Sequence, residues 1–433
     1  MSINKIAPLS KNQIDYLKKT NSSWLNVAEG GKRGGKNVLN VLAFCIELET
    51  HPDKLFLIAG VSIATAKLNI ADCDGFGITN FFSGRCREGK YKNRDCIFIK
   101  TKVGEKIVLI SGLGKNGDER NIKGNTYGMV YVTEANECAK TCLKEVFDRT
   151  ISSSRRKIFF DLNPKAPKHW FYIEILDFHE KKQRTNENYG FNYGHFTLLD
   201  NFSLSDEQIQ NVINTYDKNS IWYKRDILGK RIQAEGLINQ YFADHTEEFV
   251  LSEFKEYIMK INVGVDFGGN KSSHAFVATG FSRMFKKVIV VKSARISAQN
   301  LTPVDLYNQF GNFINYVYSV YQLPLSVYCD SAEQTLINGI KSYSIKNRLP
   351  VQIYNAKKME INSRIRLVSQ LIAQRRLFLL NHLTDSIQEA LATEQWTPDE
   401  IDDIRLDDGT SDIDSCDAFE YSVEPEFKLL IQS

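Results

Sequence analysis

At 433 residues the chain is longer than one typical domain, so two folded units, or two with a small insert, are expected. Apolar residues at 42% and charged residues at 25% lie in the range of folded globular proteins and exclude extensive disorder. A net charge of +3 leaves nucleic-acid binding open, because a balanced total can hide a basic groove beside an acidic metal site.

The opening MSINKIAPLSKNQ lacks the basic segment and apolar core of a secretory signal, and no run of about 18 apolar residues occurs, so a soluble intracellular protein is expected. The eight cysteines contain no C-x-x-C pair and no zinc-like spacing, which fits buried free thiols in a reducing compartment. Residues 24–28, WLNVA, predict a short buried strand, followed by the glycine-rich EGGKRGGKN and an apolar-periodic helix to about Ile46. Further strands are expected at Leu55–Ala59, Ile107–Ser111, Met129–Val132 and Lys157–Asp161. This alternation predicts a mostly parallel sheet covered by helices. LNPKAPKHW then carries two prolines, which make it an ordered loop at a strand's C-terminal end, where ligands gather.

Residues 200–257 are polar and helical in pattern and predict a small lid or linker. From Ile261, INVGVDFGG, HAFVATG and KVIVVKSAR predict a three-stranded meander. Thr302-Pro303-Val304-Asp305 supplies an N-cap, a proline at the first helical position and an acid at the third, opening a helix to about Gln322. The buried strand SVYCD comes next, and the whole order is that of a ribonuclease H-like domain. The expected division is an α/β P-loop ATPase domain over 1–199, a lid or linker over 200–257 and a ribonuclease H-like nuclease domain over 258–433.

The segment Gly30 to Asn37, GGKRGGKN, satisfies the phosphate-loop pattern G-x4-G-K at Gly30, Gly35 and Lys36. Glycines such as Gly31 and Gly34 let backbone N–H groups curl around phosphate oxygens, with Lys32 and Arg33 between them, and Lys36 supplies a point charge. Asn37 departs from the usual Ser or Thr, but its carbonyl oxygen can reach Mg²⁺ or its water. Glu134 closes the apolar strand MVYVT, a position from which a carboxylate orients the water that attacks a γ phosphate. Thr133 stands where an Mg²⁺-binding Asp is usual. Arg33, inside the loop, is the better candidate for a transition-state arginine; Arg120 reads as a solvated side chain.

In the second half, Asp266 sits in the strand VGVDF, where a carboxylate requires a pair or a cation. Asp330 follows VYC, and Asp414 and Asp417 lie at i,i+3 spacing in DIDSCDAFEY, on one helical face. Such carboxylates suit two Mg²⁺ or Mn²⁺ ions about 4 Å apart for phosphodiester hydrolysis. Asp407, Asp408 and Asp412 read as caps or surface charges. Arg295 and Lys357-Lys358 read equally as phosphate contacts or as solvated charges.

GGKRGGKN, VYVTEANE and DLNPKAPKHW resemble the P-loop, Walker B segment and coupling motif of the large terminase subunits of tailed phages, and CDAFEY resembles the final D-A-x-x-Y of their nuclease, at Asp417, Ala418 and Tyr421. The resemblance spans nearly the whole chain. It implies ATP and Mg²⁺ at the first site, with Asn163 sensing the γ phosphate and Gln13 reading adenine. It also implies two Mg²⁺ or Mn²⁺ ions at the second, and an ATP-driven motor that moves double-stranded DNA into a procapsid and cuts the concatemer. The implied partners are a small terminase subunit, a portal ring and further copies of the chain, without a membrane. The implied place is the cytoplasm of the infected host, outside the mature virion. Two other readings use the same residues: a helicase-like repair or recombination ATPase fused to a nuclease, and a DNA-binding assembly subunit with a degenerate ATPase.

Overall fold

A computed structural model describes residues 8–268 and 272–432. The chain divides into two compact units, Met1–Gln210 with Lys224–Ile232, and Asn211–Tyr223 with Gln233–Ser433. Segment 200–257, expected as a lid or linker, is thus shared between them.

Among the described residues the first unit holds eight strands: β1 Leu25–Gly30, β2 Leu55–Gly60, β3 Cys86–Tyr91, β4 Arg94–Thr101, β5 Gly104–Gly112, β6 Met129–Val132, β7 Lys157–Leu162 and β8 Phe191–Phe196. They form one sheet in the order β3-β4-β5-β2-β6-β7-β1-β8, parallel except that β4 runs antiparallel to both β3 and β5. Central strands alternate between two apolar clusters. Val27, Leu57, Val130 and Phe160 face one, while Phe56, Ile58, Tyr131 and Phe159 face the other. Both faces of a parallel sheet are therefore covered, as near-continuous apolar runs require. The β3–β4 hairpin escapes the sequence pattern because its outer strand, CREGKY, is largely exposed and polar. Helix α1, Lys11–Thr20, is opened by a capping box between Ser10 and Gln13, and helix α2, Lys36–Leu48, follows the glycine loop.

In the second unit the strands are β9 Val250–Leu251, β10 Ile258–Asp266, β11 Ser273–Ser282, β12 Val288–Ser297, β13 Leu325–Cys329, β14 Val351–Asn355 and β15 Leu377–Leu380, in the order β14-β13-β10-β11-β12-β15-β9. The expected meander is present as antiparallel β10, β11 and β12, and β13 joins β10 in parallel. Helix α3, Pro303–Tyr321, begins with the predicted Thr302 cap and Asp305 capping box. Helices α4, Ile361–Ala373, and α5, Ile413–Val423, lie later in the chain. Among the described residues no helix is long and apolar enough to cross a membrane. All eight cysteines are free.

Candidate nucleotide site and acidic site

The first unit places its polar residues at the C-terminal ends of β1, β6 and β7. Gly30 has φ +151°, and a Cβ on it would lie 1.7 Å from the Phe196 carbonyl oxygen. A Cβ on Gly31 would lie 2.2 Å from that of Asp226. The loop is therefore built from glycine because backbone crosses it on both sides. Lys36 is buried and donates to the carbonyls of Gly30 (2.9 Å) and Gly31 (2.6 Å) and to Asn163 Oδ1 (3.1 Å). Burial lowers its pKa to about 8, against the pull of Asp161, Asp226, Glu29 and Glu134. Lys32 pairs with Asp226 at 3.3 Å.

Beside the loop lies a cavity of 610 Å³, lined by Gln13, Arg33, Lys36, Asn37, Asn69 and Phe202 among others. Exposed Arg33 has a left-handed backbone, φ +60°. Gln13 is buried: its Oε1 accepts from Ser10 N and its Nε2 donates to the Gly34 carbonyl at 3.2 Å. Arg120 is exposed on the turn Asp118–Asn121. Glu134 is half-buried in a left-handed conformation, φ +49°, and burial, together with Asp161 and Glu137, raises its pKa. Asn163 begins the proline loop, and its carbonyl accepts from Asn136 Nδ2 at 2.8 Å.

In the second unit Asp266 ends β10, Asp330 follows β13, and Asp414 and Asp417 share α5. The four carboxylates are brought together: Asp417, Asp330 and Asp414, in that order after burial, push Asp266 up to about 8. Gly264 makes this possible. A Cβ there would stand 1.7 Å from the Ala418 carbonyl oxygen, so α5 lies directly on β10. Asn262 Nδ2 donates to the Ser422 carbonyl (3.0 Å), and Thr279 and Ser422 share a 2.6 Å hydroxyl contact, fixing the helix register. Gly264→Ala is accordingly expected to destabilise the full chain by about 1–3 kcal/mol through overpacking. Thermal unfolding of the purified variant, unchanged to within error, would contradict that close approach.

Three of the acids have nearby donors. Asp330 Oδ1 pairs with Lys358 and accepts from Ala332 N at 2.8 Å. Asp417 Oδ1 receives Arg364 at 3.0 Å and Arg405 at 2.7 Å, and both arginines also reach buried Glu420 at 2.8 Å. Asp414 accepts from Ser272 Oγ at 2.7 Å and Ser273 N at 2.9 Å, tying α5 to the start of β11. Among the described residues no group of three or more His, Cys, Asp and Glu side chains has metal-holding spacing. The donor chemistry nevertheless suits a hard cation, because Asp266 is buried and no hydrogen bond to its carboxylate is made by a described residue. Asp412 is the N-cap of α5 and pairs with Arg295 at 3.3 Å, and Asp408 caps a turn at Thr410.

Residues 42–243 match the family model "Terminase large subunit, T4likevirus-type, N-terminal", a span that contains Thr133, Glu134 and Asn163 but starts after the glycine loop. The large terminase of a thermophilic bacteriophage superposes with a TM-score of 0.76 at 20% identity, covering 96% of this chain and 99% of that one. Residues 42–243 are thus similar to the N-terminal part of the T4-type large terminases, and the whole chain shares the fold of a phage large terminase. The same thermophilic phage enzyme in complex with ADP (TM-score 0.72, 19% identity, 95% of this chain and 98% of that one) and with ATP-gamma-S (0.70, 19%, 96% and 100%) shares the fold. No curated protein matches in sequence.

Several residues around the two sites are not legible as site residues in the sequence. Asp161 closes the apolar run KIFF and is 2% exposed; a carboxylate at the end of a buried strand is the signal that points to it. Glu29, wholly buried before the loop, is held by Arg231 and by Tyr193 OH at 2.7 Å. Arg364 and Arg405 carry no local signal, since each meets Asp417 only through the fold.

Proposed function

We propose that the chain hydrolyses ATP at the glycine loop to drive double-stranded DNA into a procapsid, and cuts that DNA at the acidic site of the second unit. The observation that carries this reading is the pairing, in one chain, of a phosphate loop facing Glu134 with a four-carboxylate cluster around Asp266. The thermophilic phage terminase, whose fold the chain shares, takes ADP and ATP-gamma-S. ATP with Mg²⁺ lies in the 610 Å³ cavity, with Gln13 at adenine and Gly30, Gly31, Lys32, Arg33, Gly34, Gly35, Lys36 and Asn37 at the phosphates. Glu134 orients the attacking water, and Arg33 stabilises the developing charge on its own nucleotide or a neighbouring copy's.

The Lys36–Asn163 bond gives the coupling loop a physical handle. A γ phosphate competes for the Lys36 ammonium and releases Asn163, so that occupancy is felt in the loop after β7. Lys36 must be charged to hold phosphate. Because its pKa stands near 8 before nucleotide arrives and rises on contact with phosphate, affinity is expected to be flat below pH 8 and to fall about tenfold per unit above it. Titrating a fluorescent ATP analogue at pH 7–10 measures this; pH-independent affinity to pH 10 contradicts it.

At the acidic site Asp266, Asp330 and Asp417 hold divalent Mg²⁺ or Mn²⁺, with Asp414 keeping α5 in place. Such ions activate water and stabilise the leaving oxygen of the phosphodiester. Lys358 must leave Asp330, or share it, when a cation enters. A small terminase subunit, a portal ring and further copies of the chain complete the motor in the host cytoplasm. The full chain is tested with ATP, Mg²⁺ or Mn²⁺ and long duplex DNA. DNA-stimulated ATP hydrolysis with metal-dependent cutting is expected; a folded chain showing neither activity overturns the reading.

A further inference from the structure

The two departures from the usual nucleotide-site pattern touch each other. Asn37 Nδ2 donates to Thr133 Oγ1 at 3.3 Å, and Asn69 Nδ2 donates to the same oxygen at 3.4 Å. Thr133 Oγ1 donates its single proton to Asp161 Oδ1 at 3.2 Å. Asp161, on the neighbouring strand β7, also accepts from Tyr131 OH at 2.6 Å and from Glu134 N at 3.2 Å. Burial pushes the pKa of this carboxyl up, while these three donors and the Lys36 charge pull it down. Three donors converging on one buried carboxyl suit the ionised form. Of the carboxylates acting on Lys36, Asp161 acts most strongly.

Resting on the nucleotide-site reading above, we propose that Asp161 replaces the carboxylate missing at Thr133 and, through Thr133, aims the Asn37 carbonyl oxygen at the cation that accompanies ATP. The polarity of the chain follows from counting protons. Ionised Asp161 can only accept, so Thr133 must donate to it; Thr133 then has only lone pairs for Asn37, and Asn37 must present its NH₂. The amide's other end, Oδ1, is left as the acceptor. Flipping Asn37 sets two acceptors against each other. Hydrogen bonds linked in one direction strengthen one another, so the Asp161 charge makes the Asn37 oxygen a stronger ligand for a cation. Asp161 is thus a positioning residue, and its Glu134 N contact sets the catalytic carboxylate from the same point.

The test measures affinity of the full chain for an ATP analogue with and without Mg²⁺. Thr133→Val removes the relay proton but leaves the Tyr131 and Glu134 bonds of Asp161 intact, and Asp161→Asn removes the charge. Each is expected to reduce the Mg²⁺ enhancement of binding about tenfold, the loss of one charge-assisted hydrogen bond. Mg²⁺-free affinity is little changed in Thr133→Val, whereas Asp161→Asn lowers it as well, because Asp161 is the carboxylate that most supports the Lys36 charge. The reciprocal exchange Thr133→Asp with Asp161→Thr returns a carboxylate to the position just after β6 and is expected to restore the enhancement. An unchanged enhancement in folded Thr133→Val overturns the proposal, as does equal loss of binding with and without Mg²⁺. Wild type that binds no nucleotide overturns the site reading itself, a result distinct from either.

Discussion

Replacing Glu134 by glutamine is expected to lower ATP turnover of the full chain by about 10²–10⁴-fold, the usual contribution of a general base or water-orienting carboxylate. Nucleotide affinity is expected to remain near wild type. The side chain keeps its size and its amide can still fill the half-buried position, so the loss reports charge alone. The left-handed backbone at Glu134 and the bond from its N–H to Asp161 hold the residue in place whatever its side chain. Burial raises its pKa, which strengthens it as a proton acceptor near neutral pH. Steady-state hydrolysis and analogue binding, measured on one preparation, separate the two effects. Turnover within threefold of wild type removes Glu134 from catalysis and leaves Asp161 as the next acid at the site.

The second large effect has two readouts of opposite sign. Asp266→Asn is expected to cut metal-dependent DNA cleavage by about 10³-fold, since a metal supplies several kcal/mol of charge stabilisation to a phosphodiester transition state. It is also expected to stabilise the cation-free protein. The folded-state pKa of Asp266, about 8, lies above its ordinary 3.8, so the folded chain retains a proton that the unfolded chain gives up. The stability tied to that proton is complete below pH 3.8 and is lost as pH rises to 8. Asparagine removes the titration, and the gain at pH 7 is on the order of 1–4 kcal/mol. Denaturant unfolding in chelator, beside a plasmid assay in Mn²⁺, tests both. Loss of cleavage with loss of stability marks Asp266 as structural, and full cleavage removes it from the acidic site.

The elements legible in the sequence are those whose signal is local. Buried strands β1, β2, β6 and β7 are short apolar runs, and the loop between β1 and α2 announces itself by glycines that backbone crowding demands. The meander and the Thr302 cap are equally plain, because alternation and capping depend on neighbours only a few residues away. The β3–β4 hairpin is not, because an exposed edge strand needs no apolar pattern.

The site divides in the same way. Lys36, Glu134, Asp266, Asp330 and Asp417 can be nominated from residue type and position, since a carboxylate at the end of a buried strand needs a reason wherever it occurs. Their partners cannot. Arg364 and Arg405 lie 53 and 12 residues from Asp417, and Asp161 lies 28 residues from Thr133. Residue type and local pattern suffice to say which side chains are able to bind phosphate or a hard cation. Which of them meet is settled by the folded chain, because contacts between parallel strands depend on sheet order and register, and the approach of α5 to β10 depends on the missing side chain of Gly264.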